Sequence, residues 1–424
     1  MRRLLFIFSF LSLLVVDGKA QEVETLTLED CLRIGIDNNL SLEGKRKEIQ
    51  KSKYGVSENR SKLLPQITVI AGYNNNFDPP VSVTDGSSYG VPYNITKTLQ
   101  HTANAGLEMQ MPLFNQTLYT SMSIAKVMEE ISRLSYGKAR EDIIMQISKM
   151  YYLGQVTAEQ IVLIKANITR LEELRDITQA FFDNGMSMEV DLKRVNINLE
   201  NLKVQYDNAQ AMMKQQLNML KYIMDYPAEK EFVLTPVNTD SITTVALTGL
   251  SENIYELQLS QSQVQLAEKQ KKIISNGYIP SLSLTGSWRY AAYTDKGYHW
   301  FHSGPSNHWF RSYGLGLTLR IPIFDGLDKT YKIKKAMIDI ENSKLAWENA
   351  RKSLQTQYLN AVNDLMNNQR NFKKQKDNYL LAEDVYTVTS DRYREGIASM
   401  TEVLQDEMHN ERDFEYAELE PDMY

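Results

Sequence analysis

The sequence predicts a mainly α fold with a small β part, laid out as two copies of one plan. Three observations predict it. First, Gly106-Leu107-Glu108-Met109-Gln110-Met111-Pro112-Leu113-Phe114 and Leu315-Gly316-Leu317-Thr318-Leu319-Arg320-Ile321-Pro322-Ile323-Phe324 follow one pattern: apolar and polar residues alternate, a proline and an aromatic follow, and a long helical stretch begins. Pro112 and Pro322 are 210 residues apart. Second, residues 115–182 contain no proline, and their only glycines are Gly137 and Gly154. Those 68 residues predict a helix on the order of 100 Å long, at about 1.5 Å per residue. Third, the breakers recur: Pro65 and Pro280 are 215 residues apart, Gly185 and Gly396 are 211 apart. A fixed spacing of whole supersecondary units is the mark of an internal repeat.

The elements follow in order. Arg2 and Arg3 precede the apolar run 4–16, and Gly18 and Ala20 place small residues before Gln21, so residues 1–20 read as a secretory signal peptide. Thr27 and Asp30 predict a helix cap, and the helical pattern runs to Lys62 before Leu64-Pro65 stops it. Residues 66–73 alternate as a strand, 74–97 form a turn-rich loop, and 102–113 form a second strand. In the long helix, Ile161, Ile164, Ile168, Leu171, Leu174, Ile177 and Phe181 recur at three- and four-residue steps, the seam of helix-on-helix packing. Residues 183–187 break it at Gly185, and a second helix from Met188 to Met224 completes an antiparallel hairpin.

The first repeat thus covers 21–226, and residues 227–250 read as a linker with Pro227, Pro236 and Gly249. The second repeat covers 251–424. It has a helix ending at Ile279-Pro280, strands near 281–290 and 313–324 with a loop between them, and a helical hairpin from 328 to 418 whose tip is 394–400.

Composition narrows the function classes. Lys and Arg number 47 against 53 Asp and Glu, a net charge of −6, which argues against nucleic acid as a partner. Cys31 is the only cysteine, so no disulfide forms within the chain, and its place on an amphipathic helix reads as a buried thiol. After the leader no run of about 20 apolar residues exists. An exported chain of this kind is either soluble outside the cytoplasm or inserted as a β-barrel, the other structure that satisfies its backbone in lipid. No phosphate loop, nucleophile elbow or Cys/His framework is present, so neither a catalytic set nor a cofactor is expected. His299, His302 and His308 share one loop but lack the accompanying ligands of a metal centre.

Taken together, the repeat, Leu64-Pro65 and Ile279-Pro280 before the first strands, Met111-Pro112-Leu113-Phe114 and Ile321-Pro322-Ile323-Phe324-Asp325-Gly326 after the second ones, and Gly185 and Gly396 at the tips resemble the TolC family of outer-membrane efflux and secretion channels. The resemblance covers residues 27 to about 414. It implies a homotrimer in which three chains share a 12-stranded barrel in outer-membrane lipid, with the helices forming a periplasmic tunnel. It implies an exit duct for a tripartite efflux pump or type I secretion system, working with a periplasmic adaptor and an inner-membrane pump of the RND or ABC type. The four strands are each near the 9–11 residues a membrane strand needs. A periplasmic coiled-coil scaffold without a pore is the alternative, and it has no use for membrane-length strands.

The family resemblance also assigns sites. The junctions lie at Pro112, Phe114, Pro322 and Phe324. From its density of aromatics alone, the loop with Tyr290, Tyr293, Tyr298, Trp300, Phe301, Trp309, Phe310 and Tyr313 reads as an interfacial aromatic belt at a barrel rim, with an ordinary packed loop as the alternative. The adaptor-contacting tips correspond to Gly185, Met186, Ser187 and Met188, and to Gly396, Ile397, Ala398, Ser399 and Met400. Past the second tip the family often carries two acids three apart that narrow the pore. Glu402 matches the first; Gln405 departs from the second, with Asp406 one position on, and Asp191 is the counterpart of Glu402 in the first repeat. A carboxylate ring there favours cations; a solvated helix face is the other reading. Asn115-Gln116 stands where a glycine is common, and the final helix has 23 residues from Glu402 against 36 from Asp191 to Tyr226.

Overall fold

The structure, a computed structural model, describes residues 24–97, 99–236, 251, 253–294 and 308–407. The expected signal peptide, most of the expected linker, Tyr298, His299, Trp300, Phe301, His302 and the residues after 407 lie outside these ranges. The elements are β1 (Glu24–Leu26), α1 (Leu28–Asn38), α2 (Leu40–Ser61), β2 (Gln66–Asn75), β3 (Val81–Asp85), β4 (Tyr93–Lys97), β5 (His101–Phe114), α3 (Gln116–Asp183), α4 (Glu189–Met224), β6 (Phe232–Leu234), α5 (Tyr255–Ser275), β7 (Ser281–Thr294), β8 (His308–Arg320) and α6 (Asp328–Arg394). Residues 400–407 open a further helix. No helix among the described residues is long and apolar enough to cross a membrane. The chain divides into two units: one takes the residues up to Glu43, Arg140–Gly249 and those from Gln357 on; the other takes Gly44–Ala139 and Leu250–Thr356.

The second unit holds a four-stranded antiparallel sheet in the order β2-β5-β7-β8. Opposed residues in such a sheet share a face, so the sequence alternation adds up row by row. Val69, Leu107, Trp288 and Tyr313 form one row, and Ile67, Met109, Gly286 and Leu315 the next. Between them, on the other face, run Thr68, Glu108, Ser287 and Gly314, then Gln66, Gln110, Thr285 and Gly316. One face is mainly apolar and the other mainly polar, with Ile70 on the polar face and Arg311 on the apolar one as exceptions. The apolar face is uncovered: Leu315 is 79% exposed and Val69 73%. β2 and β8 are the outer strands, and each has one paired edge among the described residues.

Three expectations shift. β8 occupies 308–320 rather than 313–324, and β7 extends to Thr294, so Tyr293, Trp309 and Phe310 sit on strands, not in a loop. The ladder fixes both ends: Tyr293 pairs with His308, and Ser281, the first residue of β7 after Pro280, pairs with Arg320. Pro322 and Phe324 therefore fall beyond the strand. The helix expected over 27–62 is two helices. Asn39 leaves the helical conformation; its Nδ2 donates to the Ile223 carbonyl at 2.8 Å and its Oδ1 accepts from Leu42 N at 3.1 Å, so it caps α2. The 74–97 loop contains the β3–β4 hairpin.

The first unit is held by two apolar clusters. In one, Ile164, Leu171 and Leu174 of α3 meet Val195, Leu199, Leu202 and Ala209 of α4, with Tyr393, Met400, Val403 and Leu404 closing the group; Ile161, Ile168, Ile177 and Phe181 flank it. The seam read from the sequence is this interface. The other cluster joins Leu26, Cys31, Ile147, Tyr151, Leu220, Met224, Phe232 and Leu234 beneath the parallel pair β1–β6. Thr27 and Asp30 form a reciprocal capping box at the start of α1. Burial pushes the Cys31 thiol up to about 12, which leaves it protonated and unreactive.

Leu199 is 2% exposed within the hairpin seam. Leu199→Ala is expected to cost about 2–5 kcal/mol through lost burial and the cavity left behind. Asn201→Ala, on an exposed position nearby, is expected to change stability by less than about 0.5 kcal/mol. Denaturant titration followed by helical circular dichroism compares the two.

Candidate functional site

Three places carry function-bearing residues: the sheet faces, the strand-helix junctions and the hairpin tips. On the sheet, Trp288, Tyr290, Trp309 and Tyr313 share the apolar face, whereas Tyr293 and Phe310 lie on the polar face with ring centroids 6.2 Å apart. The expected aromatic belt is thus divided between the faces, because one residue of register moves a side chain across the sheet. On the polar face Glu108 and Arg289 form an ion pair between β5 and β7.

The two junctions use different caps. At the first, a bulge separates Pro112 from Phe114, and Phe114 packs against Tyr119 at 6.5 Å. Asn115 Oδ1 then accepts from Thr117 N at 3.0 Å and Leu118 N at 3.3 Å. An asparagine carboxamide thus satisfies the first amides of α3 at the point where this copy lacks the glycine of the second one, Gly326. At the second junction, Asp325 Oδ1 accepts from Leu327 N and Oδ2 from Lys329 N, both at 3.2 Å. Gly326 and Leu327 adopt φ of 67° and 70° there. Phe324 is exposed. A side-chain bond from Lys329, whose ammonium lies 3.1 Å away, holds the Asp325 carboxyl below its ordinary value of 3.8.

The tips share one backbone solution. Gly185 N donates to Phe182 O at 2.9 Å and Met186 N to Phe181 O at 2.8 Å; Gly396 N donates to Tyr393 O at 2.9 Å and Ile397 N to Arg392 O at 2.8 Å. This pair of bonds closes a helix through a left-handed residue, and the glycines have φ of 74° and 76°. Nothing lies within 4 Å of where their Cβ atoms would stand, so the dihedral, not space, calls for glycine. Met186 and Met188 are exposed at the first tip and Ile397 at the second. Ser187 is half-buried. Ala398 packs against the seam cluster and Met400 is buried, so the second tip presents less apolar surface than the first.

The three acids beyond the tips have different partners. Glu402 closes a capping box with Ser399: Glu402 N donates to Ser399 Oγ at 3.3 Å and Ser399 N to Glu402 Oε2 at 3.4 Å. Ser399-Met400-Thr401-Glu402 carries the Ser-x-x-Glu signal for this arrangement, which the sequence reading passed over. Asp191 is half-buried and lies 3.5 Å from Arg194, whose Nη1 donates to Thr401 Oγ1 at 3.3 Å. Arg194 thus ties the first hairpin to the residue beside Glu402. Asp406 is half-buried. Next to it Glu407, 4% exposed, pairs with Arg170 of α3 at 3.4 Å. Arg170 also donates to Asn167 and stands 5.7 Å from the Tyr386 ring. Burial pushes the Tyr386 hydroxyl up to about 12. Thr178 and Tyr393 hydroxyls meet at 3.3 Å. No local pattern announces these links, since their members are far apart in the chain.

A sheet with one lipid-compatible face and one polar face, leading into long helical hairpins, defines a class. The model of the outer membrane efflux protein family matches residues 34–224 and 238–409, and the chain belongs to that family. It is therefore an outer-membrane protein of the efflux class. Outer membrane protein TolC of Vibrio cholerae serotype O1 is 21% identical over 316 residues, 73% of this chain and 66% of the relative, just under two thirds of its length. Among solved structures, CusC superposes with a TM-score of 0.78 at 15% identity, over 93% of this chain and 89% of CusC. The open-state MtrE channel of Neisseria gonorrhoeae gives 0.72 at 18% identity, over 93% of this chain and 86% of MtrE. At these identities the superpositions speak for the fold.

Asp325 makes the second junction acid-sensitive. Its folded value is depressed, so its contribution is present above 3.8 and is lost as pH falls through the lowered value. Amide exchange at Leu327 and Lys329 is expected to speed up on acidification below pH 4, relative to mid-α6 amides. Asp325→Asn, which cannot titrate, is expected to remove that pH dependence.

Proposed function

We propose that the chain acts as a homotrimeric outer-membrane exit duct serving a tripartite efflux pump or a type I secretion system. One observation carries the reading: a four-stranded sheet has an exposed apolar face, a polar opposite face and two long open edges. In lipid an unpaired edge leaves backbone donors and acceptors without partners, at a cost of several kcal/mol per group. Joining β8 of one copy to β2 of the next removes both edges, and three copies give 12 strands. The polar face, with Glu108, Arg289 and the serines and threonines of β7, then lines a water-filled lumen, and the apolar face meets lipid. A scaffold protein without a pore gives no reason for such a face.

Below the barrel, the hairpins of three chains pack side by side as a conduit across the periplasm. Gly185, Met186 and Ser187 at one tip and Gly396 and Ile397 at the other meet a periplasmic adaptor, with Ala398 holding the second turn against the seam. The adaptor links the duct to an inner-membrane pump of the RND or ABC type, which supplies the energy; the duct itself is no enzyme. Glu402, with Asp406 and Asp191 nearby, contributes carboxylates to a constriction at the tips. The Arg194–Asp191/Thr401 contacts hold it narrow, and Glu402 divides its charge between its own helix start and the pore.

Fractionation and planar-bilayer recording test the duct. The expected result is outer-membrane protein that conducts as a trimer; protein confined to the soluble periplasm and silent in bilayers would overturn the reading. Glu402→Ala is expected to weaken block by hexamminecobalt by roughly tenfold, as removal of a charged ring predicts. Arg194→Ala is expected to raise the single-channel conductance. Unchanged block removes Glu402 from the constriction, and unchanged conductance removes Arg194 from the closure.

A further inference from the structure

Between α5 and α6 runs a groove that the duct reading leaves unused. Its end nearer the sheet, about 480 Å³, is lined by Lys271, Lys272 and Ser275 of α5 and by Met337, Ile340 and Lys344 of α6. It continues past Lys344 into a second, mostly apolar part of about 370 Å³, where Val264 faces Leu345 and Trp347. The two parts differ in charge. Three ammonium groups face a single carboxylate, Glu268, at the sheet end. Lys271, Lys272 and Lys344 form no ion pair among the described residues, unlike Lys329 and Lys332 at the start of α6, which pair with Asp325 and Asp328. In the apolar part Glu348 is taken by Lys352 at 2.9 Å, leaving Glu341 as the remaining acid. The indole Nε1 of Trp347 is buried with no hydrogen-bond partner. That atom is closed off from the groove, which therefore meets the indole as an apolar ring.

We propose that this groove is a binding site for a free amphipathic anion, a carboxylate or sulfonate carried on an apolar body. The anion sits among Lys271, Lys272 and Lys344, and the apolar body lies on Ile340, Leu345 and the ring of Trp347. Chain position decides between a free amphiphile and a bilayer lipid. Ser275 is six residues before Ser281, where β7 starts, while Val264 lies 11 residues further from the sheet, roughly 16 Å along the helix. A bilayer phospholipid with its phosphate on the lysines would send its chains toward the strands. It would leave the apolar half and Trp347 untouched. A free amphiphile spans both.

The site is read out by binding, independently of conductance, so its failure is separable from failure of the duct. Full-length protein in phosphatidylcholine nanodiscs is titrated with decanoate and with decanol by calorimetry, with empty discs as blank. Saturable decanoate binding is expected, without saturable decanol binding. The double variant Lys271→Gln/Lys272→Gln is expected to weaken decanoate binding by roughly tenfold or more, as loss of charge-assisted contacts implies. Leu345→Gln, at an exposed position that lines the apolar half, is expected to weaken it by several-fold through lost apolar burial. Circular dichroism of both variants checks that they fold. Equal decanoate affinity in wild type and both variants overturns the site, as does decanol binding as tightly. Phosphatidylglycerol added to the discs is expected to leave decanoate binding unchanged; competition by it would assign the groove to a bilayer lipid and overturn the proposal.

Discussion

The backbone of β2, β5, β7 and β8 needs a hydrogen-bond partner for every strand, and most of what surrounds the sheet follows from that need. The rows set by the register carry Val69, Leu107, Trp288 and Tyr313 on one face and Gln66, Gln110, Thr285 and Gly316 on the other. A sheet so divided is unsuited to water on its apolar side, and its two outer strands offer unpaired edges. Membership of an outer-membrane efflux family supplies the solvent that suits the first property. Closure with further copies, as proposed, suits the second.

The helices face the opposite problem. They satisfy their own backbones but cannot bury a stripe alone, and a stripe repeating every three or four residues needs a partner helix alongside it. Within the first unit the α3 seam finds that partner in α4, and Tyr393, Met400, Val403 and Leu404 of the second hairpin complete it. The tips then need only reverse the chain, and both use the same left-handed glycine with the same two backbone bonds. Polar links are laid over this apolar base: Arg170 with Glu407, Arg194 with Asp191 and Thr401, and Thr178 with Tyr393. Glu407 is buried in its pair with the partly exposed Arg170, and the desolvation of its carboxylate offsets much of that attraction.

Much of the fold was legible because it rests on local rules. Pro65, Pro280, Gly185 and Gly396 stop helices wherever they stand, and the α3 seam is readable from its spacing. The Thr27 capping box was legible too, while the same signal at Ser399 was eclipsed by the interest of Glu402 as a pore acid. The bounds of β8 were not legible. Leu315–Phe324 alternates well enough to be a strand, but a strand extends only as far as its neighbour, and β7 begins after Pro280. The aromatics of β7 and β8 were assigned to one belt from composition; pairing divided them between faces.

By itself the sequence determined the long helices, the number of long strands in the main sheet and the turns that reverse the hairpins. These depend on residue type and on periods of two and of three to four, which are properties of the chain. Only the tertiary structure decided which residues stand opposite one another. It set the rows of the sheet, moved β8 upstream, broke the first helix at Asn39 through its bond to Ile223, and joined Arg194 to Thr401 and Arg170 to Glu407. It also left Trp347 Nε1 buried without an acceptor beside unpaired lysines. The reason is physical: a backbone bond or an ion pair depends on distances of about 3 Å between residues far apart in the chain, and no periodicity encodes them.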